Sequence, residues 1–252
     1  MRLGLNSEYK LPDYIPTRGH LTLESKKISK SRNWYIGLKE FLGYYPADYL
    51  RYYLVAINPY SQDDLNFDWN DFATRINSEL IGNLGNFVNR ALGFTKKAFD
   101  GEVPEPESFD DKDSETEQKI KDLAADVGSL MEQNHLDRAL KKIMEFSSHF
   151  NQYFQHKEPW KKGPGTASCV FLSVNAVRSL AIAIFPFIPE SAQKIWQQLA
   201  LDGNVSELQW NDMSVLGISP GHTLGEASPL FAKVEESDIE KYKKQLNPSE
   251  EK

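Results

Sequence analysis

From Trp69 onward, apolar residues recur at the spacing of a helix. Trp69, Phe72, Ile76, Leu80, Leu84, Phe87 and Leu92 fall three to five residues apart, drawing one stripe along a helix predicted to run to about Phe99. A helix of that length must bury its stripe against other elements, and the sequence that follows offers mainly further helices. The connector "DGEVPEPESFDDKDSETE" is rich in Pro and acid, so it reads as an exposed, solvated hairpin connection. Ser114 and Glu117 then fit a Ser-x-x-Glu capping box, which predicts a second helix starting there with Ile120, Leu123, Val127 and Leu130 inward. A third is predicted from near Asn134 through "LDRALKKIMEFSSHFNQYFQ", ending before Pro159, because a proline pushes its predecessor out of helical space. "ASCVFLSVNAVRSLAIAIF" makes a fourth, "PESAQKIWQQLAL" a fifth, and after a loop from Gly203 "DIEKYKKQL" closes the chain as a short charged helix. The fold class expected is mainly α: an antiparallel helix bundle over residues 67–252.

The first 66 residues read as a small mixed α/β segment. "HLTLE" alternates like a short strand. "WYIGLKEFLG" suggests a helix stopped by Gly43, and "ADYLRYYLVAIN" one opened after Pro46 and closed before Pro59. Between the strand and the first helix "ESKKISKSRNW" is Ser-rich and unpatterned, and reads as a basic loop, neither helix nor strand. No internal repeat is visible. The 252 residues, 40% hydrophobic, suffice for a sizeable core. With 29 Lys and Arg against 36 Asp and Glu, the net charge of -7 argues against a sequence-blind nucleic-acid binder. Any polyanion has to be met by local basic patches. Cys169 is the single cysteine, which excludes an internal disulfide framework and a Cys-rich zinc site and fits a reducing, cytoplasmic setting. "MRLGLNSEYKLPDY" lacks the apolar centre of a signal peptide, and no uninterrupted apolar run reaches membrane-spanning length. No membrane partner is expected.

A basic loop alone is most simply a solvated turn. Its chemistry nevertheless suits phosphate: lysine is a hydrated point charge on a flexible stem, Lys27 and Lys30 could flank a triphosphate, and Ser29 and Ser31 add donors. "KISKS", Lys27 to Ser31, resembles the KMSKS signature of class I aminoacyl-tRNA synthetases, with Ile28 in place of Met. The segments downstream, "SRNW", "YPADYLRYYL", "NFDWNDF" and "NSELIGNLGNFVNRALGF", resemble in order those of methionyl-tRNA synthetases of the archaeal and eukaryotic type. "NQYFQHKEPWKK", "FPFIPESAQKIWQQL" and "SPLFAKVEESDIEKYKKQL" are similar to the family's later segments, so the resemblance covers nearly the whole chain.

The resemblance implies ATP, with Mg, as the cofactor of a full-length enzyme that activates methionine. Lys30, supported by Lys27, would neutralise the departing pyrophosphate, with Ser29 and Ser31 in the same ATP site. It implies a class I anticodon-binding domain in which Asn86 and Arg90, four residues apart on one helix face, hydrogen-bond anticodon bases. Pro159 and Trp160 match the family's Pro-Trp element, whose indole stacks on the first anticodon base. The partner implied is tRNA(Met) with its CAU anticodon. Lys96, Lys97, Lys157, Lys161 and Lys162 are candidate phosphate contacts, and Asn151 a helix-positioning residue. The family's His-x-Gly-His motif is not matched: "TRGH" and "SPGH" lack the first His, and the Cys-rich metal knuckle is absent. The expectation is a C-terminal, monomeric part that does not catalyse without an N-terminal half and holds no metal. His135, His149, His156 and His222 are expected at surface or cap positions, Trp69 and Trp196 in the core. Two other readings stay open: an interaction module derived from a synthetase, and the tail of a leucyl, valyl or cysteinyl enzyme.

Overall fold

The protein is described by a computed structural model over residues 12–246, so the expectation for the extreme N-terminus falls outside the described residues. A small sheet opens it, with β1 (Leu21–Leu23) flanked by β2 (Lys26–Lys27) and β3 (Leu65–Phe67). β1 runs antiparallel to β2, pairing Thr22 with Lys27, and parallel to β3, pairing Leu23 with Phe67. The basic segment is therefore not plain loop. Glu24 and Ser25, at φ 48° and 62°, make the tight left-handed turn that lets two strands pair, and Lys30–Arg32 form a 3-10 turn. Asn66 secures the hairpin by accepting from the Ser25 amide at 2.7 Å.

α1 (Leu38–Tyr44) runs through Gly43 rather than stopping there. The stop comes from Pro46, which holds Tyr45 in extended geometry at ψ 147°. α2 (Ala47–Ala56) follows directly. Asp48 on α2 reaches the start of a distant helix, accepting from the Ser191 amide at 2.6 Å and its hydroxyl at 2.7 Å.

The bundle begins with α3 (Trp69–Arg75), capped by Asp68, which accepts from the amides of Asn70 and Asp71. The helix then widens into π-helical turns over Ile76–Gly85 and tightens again as α4 (Asn86–Ala98). The apolar stripe is fully buried, as its spacing predicts. Three successive four-residue steps, Phe72 to Ile76 to Leu80 to Leu84, would carry a stripe roughly 120° around an ideal α-helix. Wider turns take some of that rotation back. A side chain at Gly85 would be crowded there, since a Cβ would stand 3.0 Å from the Phe231 ring and 3.1 Å from the Leu80 carbonyl.

α5 (Asp111–Glu132) starts earlier than the Ser114 and Glu117 pattern predicts. The capping box is Asp110 with Asp113, each carboxylate accepting from the other's amide. α6 (Leu136–Lys157) returns antiparallel, α7 (Thr166–Ile184) passes through the middle and α8 (Pro189–Gln198) packs beside it. α7 is long and apolar enough to cross a membrane, with a mean hydropathy of 1.7, yet 94% of that stretch is buried inside the protein. Its polar residues are used structurally: Asn175 exchanges two hydrogen bonds with the Ile218 backbone, and Arg178 donates to the carbonyls of Asp212 and Val215.

The acidic connector departs most from expectation. Val103 is buried, its amide donating to His222 and its carbonyl accepting from Gly221, both at 2.8 Å. α9 (Glu236–Gln245) closes the chain by laying Tyr242 on Trp69, ring centres 4.4 Å apart. One continuous core thus joins the sheet, the bundle and the returning C-terminal strap.

Candidate nucleic-acid interface

The first turn of α4 and the last turns of α6 lie side by side. Asn86 and Arg90 on α4 face Asn151 and Gln155 on α6, two polar pairs of equal i, i+4 spacing that mesh across the helix interface. Asn86 donates to the Asn151 side-chain carbonyl at 3.2 Å. Arg90 donates to the Gln155 side chain at 2.6 Å and to the Asn151 backbone carbonyl at 3.4 Å. Asn151 in turn donates to the Asn83 backbone and side chain at 3.1 and 3.2 Å, and Asn83 donates to the Met144 carbonyl at 2.9 Å. The amides are thereby fixed in orientation before any ligand arrives. These residues border an open groove of about 580 Å³, lined also by Gly82 and His156.

Trp160 does not line this groove but stands next to Arg90, which does. α6 ends at Glu158, which takes left-handed geometry at φ 42°, and Pro159–Lys161 form a 3-10 turn. The Arg90 guanidinium sits 5.3 Å from the Trp160 ring centre and 5.0 Å from that of Phe154, close enough for cation–π attraction. Burial lowers the Arg90 pKa from its ordinary value, though a guanidinium remains charged at neutral pH. Trp160 is 42% exposed, so one side of its indole is open to solvent.

Asn86, Arg90 and Trp160 are thus brought together, and none is sealed inside. Pro159 is not part of the accessible surface: it is buried, so its effect is to set the turn that carries Trp160. Lys157 is likewise no free phosphate contact. Its ammonium is held by Asp110 at 2.8 Å and Asp113 at 2.7 Å. Lys161 is exposed and pairs with Glu158 at 2.6 Å. Lys97 and Lys162 are exposed. Asn151 ties the two helices as its positioning role requires. His149 and His222 are more than surface residues: His149 contacts the Thr116 hydroxyl at 3.3 Å, and His222 meets the Leu199 carbonyl at 2.6 Å. Trp69 and Trp196 are core.

Lys27, Lys30 and Ser31 lie apart from this groove, exposed on the hairpin and the turn that follows it. The Ser29 amide and carbonyl pair with Trp34 at 2.8 and 2.9 Å, and the Ser29 and Ser31 hydroxyls are 3.2 Å apart. Neither Lys27 nor Lys30 forms an ion pair among the described residues. Their ammonium groups reach solvent. Among the described residues no cluster of His, Cys, Asp or Glu could hold a metal ion.

Residues 103–251 match the family described as the anticodon binding domain of methionyl tRNA ligase, and residues 1–92 match class I tRNA synthetases of the M type. The chain belongs to the methionyl-tRNA ligase family. Methionine–tRNA ligase of Pyrococcus horikoshii is 41% identical over 239 residues, 93% of this chain and 32% of that protein. The enzyme of Methanopyrus kandleri is 39% identical over 92% of this chain and 34% of its own length. The chain therefore spans about a third of the relatives it matches. A structure of the Mycobacterium tuberculosis methionyl-tRNA synthetase in complex with methionyl-adenylate superposes with a TM-score of 0.75 at 27% identity, covering 84% of this chain and 43% of that one. Within this ligase family fold, the sequence reading missed Asn83, Phe154 and Gln155. A signal was present for Gln155, since it stands four residues from Asn151 as Arg90 does from Asn86.

Proposed function

We propose that this chain is the anticodon-reading part of a methionine–tRNA ligase and that it binds tRNA(Met) through the CAU anticodon. The observation that carries the reading is the Arg90 guanidinium, which lines one groove with Asn86 and at the same time sits 5.3 Å from the half-exposed Trp160 indole. An amide and a planar guanidinium can read the edges of unstacked bases, and an indole offers a stacking platform. Asn86 and Arg90 supply the base contacts in this reading, Trp160 stacks on the first anticodon base, and Lys97 and Lys162 meet the backbone phosphates.

In the full-length enzyme, ATP with Mg would be the cofactor of methionine activation. Lys27, Lys30, Ser29 and Ser31 would hold its phosphate end. The chemistry supplied there is departure of pyrophosphate, and the contribution of this chain is positive charge, chiefly from Lys30, placed where negative charge accumulates. Residues 1–66 form the tail of the catalytic domain in this proposal and residues 67–252 the anticodon-binding domain. The chain is cytoplasmic, monomeric and inactive without the portion of the enzyme that carries the His-x-Gly-His motif.

The test is binding of an RNA stem-loop carrying CAU, compared with the same stem-loop with its first anticodon base changed. Preference for CAU that disappears in Trp160→Ala supports the reading. Equal binding of both RNAs, or indifference to Trp160→Ala, overturns it.

A further inference from the structure

Three residues before Trp160, Lys157 enters a partly buried charged cluster that the reading above does not use. Asp113, 1% exposed at its side chain, accepts from Lys157 at 2.7 Å and from the Tyr153 hydroxyl at 2.6 Å. Lys157, itself only 9% exposed, also donates to Asp110 at 2.8 Å. The same acidic connector grips the far end of the turn. Glu107 accepts from the Gly165 amide through its carboxylate at 2.7 Å and from the Ser168 hydroxyl through its backbone carbonyl at 3.2 Å. The segment between these two anchors is strained. Glu158 and Lys162 sit at positive φ, 42° and 53°, a state that costs a non-glycine residue free energy and persists only where neighbours enforce it, and Gly165 adopts φ 78° without that cost. At Gly165 a Cβ would stand 3.3 Å from the Lys157 ammonium nitrogen, so a side chain there would crowd the first anchor.

We propose that Lys157, Asp113 and Glu107 are positioning residues that hold the 158–165 turn in its strained form and thereby set the Trp160 indole beside Arg90. The first turn of α5 and the acidic connector that leads into it brace the stacking platform. A buried charge pair is a poor source of net stability, because desolvation consumes much of the attraction. It is a good source of fixed geometry. The cluster is fully partnered: Asp113 also accepts from the Asp110 amide at 3.2 Å, so each oxygen of its carboxylate is occupied. Burial raises the Tyr153 pKa, with the Asp113 carboxylate adding to the effect, so the phenol stays a donor at any physiological pH.

This inference rests on the anticodon reading for its purpose but not for its geometry, and the experiment separates the two. The chain is labelled with 5-fluorotryptophan, and the Trp160 resonance is assigned by its loss in Trp160→Phe. Lys157→Met, Asp113→Asn and the milder, more exposed Glu107→Ala are compared with Lys157→Arg, which keeps the charge. The expected result is a shifted or broadened Trp160 line in the first three, recovery in Lys157→Arg, and unchanged lines for Trp69 and Trp196. Affinity for the CAU stem-loop falls about fivefold or more in Lys157→Met, and the loss vanishes in a Trp160→Ala background. An unmoved Trp160 line in folded Glu107→Ala and Lys157→Met overturns the proposal, as does an equal affinity loss with and without Trp160. A parent protein with no preference for CAU, combined with a Trp160 line that moves as expected, overturns the anticodon reading and leaves the brace standing.

Discussion

The groove between α4 and α6 and the basic hairpin at Lys26–Arg32 both present charge to solvent, and they do so in opposite ways. In the groove Asn86, Arg90, Asn151 and Gln155 are already engaged with one another, and Arg90 sits near two aromatic rings. On the hairpin, Lys27 and Lys30 extend from a two-residue strand and a single 3-10 turn into solvent. The difference matches the two tasks proposed. Discriminating one base from another needs donors fixed in direction, since a movable donor would satisfy the wrong base as well. Following a phosphate group through a reaction needs charge that can move with it.

The largest test strikes the joint between the regions. Trp69 is fully buried, stacks on Tyr242 and meets Phe41, Phe67 and Phe72. Trp69→Ala is expected to cost about 3–5 kcal/mol, measured by urea unfolding. A single transition by far-UV circular dichroism and by fluorescence shows the hairpin and the bundle to be one cooperative unit, whereas two transitions would split them. Next in size is Lys30→Ala in the full-length enzyme. Removal of a charge from the developing pyrophosphate is expected to slow methionine activation by roughly a hundredfold or more. Affinity for the CAU stem-loop should not change, and a parallel loss of both would erase the contrast drawn between the regions.

Trp160→Ala should do the reverse. It is expected to weaken CAU stem-loop binding by about 1–3 kcal/mol while leaving the melting temperature within a few degrees, because the indole is half exposed. Filter binding and calorimetry read the two effects separately. The smallest effect concerns pH. Burial lowers the His149 pKa, and the nearby Lys112 ammonium adds to the shift while the Glu115 carboxylate opposes it. A base whose folded pKa lies below its unfolded value binds fewer protons when folded, so its contribution to stability is full above about 6.5 and falls as acid protonates the unfolded chain. The stability of the parent should therefore fall more steeply than that of His149→Gln between pH 7 and pH 5. Equal slopes in urea titrations across that range would remove His149 from the account.

Much of this architecture is legible in the sequence. The stripe from Trp69 to Leu92, the proline after α6 and the apolar run of α7 each dictate a helix through local physics: periodic burial, a blocked amide, lack of polar surface. The places where the reading failed share a cause. Gly43 did not end α1, because glycine only permits a stop whereas Pro46 imposes one. Ser114 did not cap α5, because Asp110 and Asp113 form a reciprocal pair that also engages Tyr153 and Lys157 from another helix. The acidic connector read as solvated because its partners, His222 and Gly165, lie far away in the chain.

For the site, the sequence named Asn86, Arg90 and Trp160, with Asn151 as a helix-positioning residue, but not Asn83, Phe154 or Gln155 around them. Spacing along one helix fixes which residues share a face, since backbone geometry is local. Which face meets which is decided by packing. The widened turns at Ile76–Gly85, the meshing of α4 with α6 and the left-handed exit at Glu158 are what set the indole beside the guanidinium. The chain by itself determined the helices, their order and the chemical kinds of group on offer. Only the tertiary structure decided that an acidic connector would neutralise Lys157 and leave Trp160 uncovered, because burial of a charge or exposure of a ring depends on neighbours that local sequence does not contain.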